Sequence, residues 1–121
     1  MDIYRQEILD HFKHPRNFGE LTKATHKAMD RNASCGDVLE MSLRVEKGKV
    51  VEVKFKGEGC AVSMAGASML TEMIKGKKAV EIMKLGDKDI ERMLKIKISP
   101  ARKKCAGLGL VVCQKSLLTA I

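Results

Sequence analysis

The hydrophobic period changes twice along this chain, and each change limits what the chain can build. From Asp2 to His14 the apolar residues Tyr4, Ile8 and Phe12 return every four positions with Leu9 beside them. That is one stripe of an amphipathic helix, for which Asp2 can serve as N-cap. His14-Pro15 closes the helix, because the residue before a proline is driven out of the α region, and Asn17-Phe18-Gly19 reads as a turn. From Val38 the period is two: Leu39, Met41, Leu43 and Val45 share one face, and Val51, Val53 and Phe55 share a face of the next strand. A three-residue loop at Glu46-Lys47-Gly48 sets Leu43 opposite Val51, Met41 opposite Val53 and Leu39 opposite Phe55. A two-residue loop at Lys47-Gly48 pairs odd positions with even ones, so the longer loop is expected. Thr25 to Asn32 offers a third strand.

After Cys60 the pattern is helical. Ala61 to Lys75 stops at Gly76, Ala79 to Leu85 stops at Gly86, and Asp87 caps a short helix carrying Ile90, Met93 and Leu94. Ser99-Pro100 reads as N-cap and first residue of a last helix running toward Ile121. Helix, strands, then helices indicates an α+β fold, with helices packed on one face of a small antiparallel sheet. At 121 residues the chain is expected to be one domain, 1–121.

Composition narrows the function classes. With 23 Lys and Arg against 15 Asp and Glu the formal charge is +8, which suits an acidic protein, nucleic acid or anionic lipid. Aromatics make up only 3% (Tyr4, Phe12, Phe18, Phe55), too few for a base-stacking platform, so nucleic acid is not the expected partner. The longest apolar run, Cys105 to Val112 with its two glycines, falls far short of the roughly 20 residues a membrane helix needs. No signal peptide pattern opens the sequence, so a cytoplasmic protein without a membrane partner is expected.

In a reducing compartment the four cysteines are thiols or ligands rather than disulfides. Cys35 lies in Asn32-Ala33-Ser34-Cys35-Gly36-Asp37, where a turn holds a thiol two residues from a carboxylate, a possible pair of metal ligands. Cys60 follows Gly57-Glu58-Gly59 and opens the helix from Ala61, where dipole and free N–H groups favour a thiolate by about 0.3–1 kcal/mol. Cys105 follows Arg102, Lys103 and Lys104, and cations too favour thiolate. The competing reading makes each a small buried hydrophobe. Spacing cannot decide: 24 residues separate Cys35 from Cys60, 44 separate Cys60 from Cys105, and there is no CxxC. Cys113, after Leu110-Val111-Val112, reads as structural. His11, His14 and His26 fall outside the three segments, and the methionines at 64, 69, 73, 83 and 93 are spaced for core packing rather than metal binding.

Taken together, Phe12-Lys13-His14-Pro15-Arg16-Asn17-Phe18-Gly19, Ser34-Cys35-Gly36-Asp37, Gly59-Cys60-Ala61-Val62-Ser63 with Ala67-Ser68-Met69-Leu70-Thr71-Glu72, and Lys104-Cys105-Ala106 resemble the IscU/NifU iron–sulfur scaffold proteins, including the SufU branch. The resemblance covers almost the whole chain. It implies a three-stranded antiparallel sheet with packed helices, and a site where Cys35, Asp37, Cys60 and Cys105 meet. Those four ligands could hold a [2Fe–2S] cluster, the carboxylate being the labile one. The implied function is a scaffold that receives sulfur from a cysteine desulfurase, assembles the cluster and passes it to apo-proteins, more an assembly platform than an enzyme. Cys105 is then the persulfide acceptor, with Lys104 auxiliary to it.

Two differences qualify the resemblance. IscU proteins carry histidine before the third cysteine and a Leu-Pro-Pro-Val-Lys stretch recognised by an Hsp70 chaperone. Here those places hold Lys104 and Ile98-Ser99-Pro100-Ala101-Arg102, so that chaperone is not expected. SufU proteins share the lysine but carry an extra segment between the second and third cysteines. The alternative is therefore a SufU-type zinc-dependent sulfurtransferase, in which the same four residues hold Zn²⁺ and Cys35 takes the persulfide.

Overall fold

The computed structural model describes residues 3–34 and 36–119, so the expected cap at Asp2 and the thiol of Cys35 lie outside the described residues. The order is α1 (Ile3–Lys13), β1 (His26–Asn32), β2 (Asp37–Glu46), β3 (Lys49–Glu58), α2 (Ala61–Ile74), α3 (Ala79–Ile82), α4 (Asp87–Leu94), a 3₁₀ turn (Pro100–Arg102) and α5 (Lys103–Leu117). The strands form one antiparallel sheet in the order β1-β2-β3, and the expected third strand is present. Helix α5 packs on β1 and β2, and α2 packs on β3 and on α5. Between helices and sheet lie Leu39, Met41, Leu43, Val53 and Phe55 from the strands, with Leu70, Ile74, Leu108 and Val112 from the helices.

The hairpin departs from the sequence expectation. Glu46 pairs with Lys49, so the loop is the two-residue Lys47-Gly48, both with positive φ (51° and 77°), a conformation that matches strand twist. Odd then does meet even at Val45↔Val50. One residue on, a bulge restores parity: Arg44 pairs with Glu52 and Val51 is left over. Leu43 therefore faces Val53 and Met41 faces Phe55, while Val50 is buried and Val51 is exposed. Expecting Val51 in the core ignored that one inserted residue can undo the parity of a tight turn.

Elsewhere the differences are at helix ends. The cap of α4 is Gly86, whose N–H donates to Asp89 Oδ2 at 2.8 Å, and Asp87 is the first helical residue. Helix α3 stops at Ile82, short of the expected Leu85, and Ser99-Pro100 opens a 3₁₀ turn before α5 begins at Lys103. On α1, Ile8 is buried whereas Leu9 and Phe12 are exposed. The expected turn at Asn17-Phe18-Gly19 also lies along the edge of β3: Phe55 N–H donates to Asn17 O, Gly19 N–H donates to Phe55 O, and Phe18 packs edge-on against Phe55. That segment covers an edge that would otherwise offer free backbone groups.

Candidate metal centre

Three elements end at one corner of the molecule. Asp37 is the first residue of β2, Cys60 is the N-cap of α2, and Cys105 is the third residue of α5. Their ligand atoms all lie within 4.8 Å of one another. The two helices come this close because small residues line their contact. A Cβ on Gly66 would lie 3.0 Å from the Ala106 carbonyl oxygen, and one on Gly109 would lie 3.1 Å from Ala67 Cα. Gly59 does the same for the strand end: a Cβ there would meet Ser63 Oγ at 2.4 Å and Asp37 Oδ1 at 2.7 Å. Any larger residue at 59 must displace the Ser63 hydroxyl and the Asp37 carboxylate.

Asp37 is fully buried. Its Oδ1 accepts the Cys60 N–H at 2.9 Å, but Oδ2 has no partner among the described residues. A buried carboxylate oxygen without a donor is costly, and a cation is the ligand that satisfies it. Two thiols beside that oxygen form a set suited to zinc or iron rather than to calcium or magnesium.

Cys60 is half-buried. Burial pushes its thiol up, but the Ser63 N–H and hydroxyl and the Val62 N–H outweigh both burial and the repulsion of Asp37, so its pKa falls below the ordinary value. The direction is the one that a thiol at a helix start is expected to take. Cys105 is fully buried, while Arg102, Lys103 and Lys104 are all exposed; it receives the Asn32 Nδ2–H at 3.4 Å. Lys104 instead lines a cavity of about 490 Å³ beside the site, with Asn32, Ser34, Lys103 and Leu108.

Cys35 lies outside the described residues, between Ser34 and Gly36, which are exposed. Cys113 is buried among apolar side chains, and burial pushes its thiol up to about 12. The histidines stand elsewhere, His11 bonded to Ser68 Oγ at 2.7 Å and His26 to Thr25 Oγ1 at 2.8 Å. Sequence reasoning missed Asn32, Gly59 and Ser63 as parts of the site. An asparagine three residues before a cysteine and a glycine immediately before another were the available signals.

The family described as NifU-like N terminal domain matches residues 3–119. The zinc-dependent sulfurtransferase SufU of Bacillus subtilis is 37% identical over 132 positions, covering 95% of this chain and 89% of that protein. Because 132 positions exceed the length of this chain, SufU carries residues with no counterpart here. The iron–sulfur cluster assembly scaffold protein IscU of Aquifex aeolicus is 38% identical over 109 positions, covering 88% of this chain and 69% of that protein. The crystal structure of FiSufU from Fervidobacterium islandicum superimposes with a TM-score of 0.82 at 27% identity, covering 93% of this chain and 94% of that one. With a match running through α1, the sheet and both thiol-bearing helices, the chain belongs to the NifU-like N-terminal-domain family that includes the IscU and SufU proteins.

Proposed function

We propose that this protein is an iron–sulfur assembly scaffold in which Cys35, Asp37, Cys60 and Cys105 hold iron while a [2Fe–2S] cluster is built and then released to apo-proteins. The observation that supports it is the buried Asp37 carboxylate, which lies within 4.8 Å of two thiols and has its Oδ2 unpartnered among the described residues. Sulfur arrives from a cysteine desulfurase. A thiolate of this chain attacks the terminal sulfur of the donor's persulfide, the donor's S–S bond breaks as the new one forms, and the donor cysteine leaves as thiolate. Turning that sulfur into sulfide takes two electrons from an external donor. The exposed Lys104 adds positive potential near the site, and the proposed setting is the reducing cytoplasm, where thiols persist. No helix among the described residues is long and apolar enough to cross a membrane.

A second reading is favoured by the similarity to the zinc-dependent sulfurtransferase: the same residues hold Zn²⁺ and the chain relays sulfur without building a cluster. The two readings differ in where sulfur lands, Cys105 in the first and Cys35 in the second. Complete burial of Cys105 means that sulfur reaches it only if the corner opens. Anaerobic purification followed by iron, sulfide and zinc analysis separates the readings. Iron and sulfide in equal amounts support the scaffold; a colourless protein that holds one zinc and accepts sulfur on Cys35, yet builds no cluster when given iron, sulfide and reductant, overturns it.

A further inference from the structure

Asn32 is the last residue of β1, directly opposite Asp37 in the ladder, and only 8% exposed. Three of its four polar groups are engaged at the site corner. Its Nδ2–H donates to Cys105 Sγ at 3.4 Å, its Oδ1 accepts the Ser34 N–H at 3.3 Å, and its backbone oxygen accepts the Gly36 N–H at 2.9 Å. The amide orientation is decided by this network. Ser34 N–H can only donate, so the side-chain atom facing it is the oxygen, and the NH₂ end is left for the sulfur.

We propose that Asn32 is a positioning residue of the metal centre: its amide orients Cys105 Sγ while its two oxygens tie down the residues on either side of Cys35. The inference rests on the metal-binding reading above. An N–H on a ligating sulfur limits the directions left to its lone pairs and draws charge from it, which lowers its donor strength toward a metal. One side chain thereby couples the third cysteine to the loop of the first, across a gap in sequence that no local motif bridges. An aliphatic residue would keep the backbone bond to Gly36 but lose both side-chain contacts, the one to the sulfur and the one to Ser34.

Cobalt(II) is the probe, added to the full chain, with thiolate-to-cobalt charge-transfer bands read in the near ultraviolet and affinity measured by competition with zinc. Asn32→Ala is expected to weaken binding by about 10–100-fold, because the lost orientation of the sulfur and of the loop outweighs the donor strength regained, and to move the bands to lower energy, because the sulfur regains charge. Asn32→Ser separates the two roles: its hydroxyl can still accept the Ser34 N–H, but the amide N–H that Asn32 gives the sulfur is gone. Its thermal stability should return toward wild type while the band shift persists. Wild-type bands and affinity in Asn32→Ser overturn the proposal and reduce Asn32 to a turn former. If the wild-type chain shows no thiolate-to-cobalt bands, the metal-site reading fails by itself, before any variant is made.

Discussion

Cys105 and Cys113 lie eight residues apart on α5, and both are fully buried. Burial alone makes them the same residue. Their neighbours make them different: Cys105 meets the Asn32 amide and stands within 4.8 Å of a carboxylate and a second thiol, whereas Cys113 is enclosed by apolar side chains and its thiol is held protonated up to about 12. The two ends of one helix show that a buried thiol acquires chemistry from the polar groups that converge on it, and that without them it is packing material.

The hardest test of that contrast is to remove each sulfur in turn. Cys105→Ser should lower zinc affinity by at least about 100-fold, given what even supporting residues of such sites are worth. Cys113→Ser should leave affinity within a factor of about two while costing roughly 1–3 kcal/mol of stability, the penalty for a hydroxyl among apolar groups. Calorimetric zinc titration and denaturant unfolding of both variants decide it; comparable loss of zinc from both would erase the distinction.

A second test leaves every ligand in place. Gly59→Ala puts a methyl 2.7 Å from Asp37 Oδ1 and 2.4 Å from Ser63 Oγ, so both must shift and zinc should bind about 10–100-fold more weakly even though no donor has been removed. Unchanged affinity would mean that the carboxylate tolerates displacement and is not held for a metal.

The third concerns pH at the other end of α5. Cys113 has an ordinary value of 9.0 when unfolded and about 12 when folded, so above pH 9 the unfolded chain releases a proton that the folded chain keeps. Its contribution to stability is therefore present below pH 9 and lost as pH rises toward 12, by about 1.4 kcal/mol per pH unit. Metal-free wild type should lose stability faster than Cys113→Ala over that window, measured by urea unfolding at several pH values; parallel curves would show that Cys113 ionises freely.

The smallest effect is expected at the hairpin turn, at the opposite end of β2 from Asp37. Lys47 holds φ 51°, a region that asparagine enters more readily, and Asn-Gly is the preferred pair for such turns. Lys47→Asn should raise stability by about 0.5–1 kcal/mol with zinc affinity unchanged. A change in affinity there would show that the sheet transmits strain to the corner.

Much of the fold was legible because its causes are local. The alternation from Val38 to Phe55 has to be strand, and the stop at His14-Pro15 follows from proline sterics. The hairpin register was not legible. Parity rules describe an unbroken ladder, and the bulge at Val51 answers to whether Val50 or Val51 fits the core beneath Lys77 and Gly76, whose backbone groups pair with Val50. The thiols were legible as candidates, through the dipole at Cys60 and the cations before Cys105. The asparagine was not: the fold buries the Cys105 sulfur while the three cations stay exposed, and it brings the Asn32 amide to that sulfur from β1.

By itself the sequence determined the α+β class, the separation of strand from helix, and four residues able to ligate a soft or borderline metal, because each follows from side-chain period or from the chemistry of one residue type. Only the tertiary structure decided that Asp37, Cys60 and Cys105 share a corner, that one carboxylate oxygen is left without a partner, and that Asn32 reaches the third sulfur. The reason is distance along the chain. Residues separated by tens of positions meet only when glycines and alanines let α2 and α5 approach and the sheet delivers Asp37 between their ends, and that is a property of packing that no stretch of sequence carries alone.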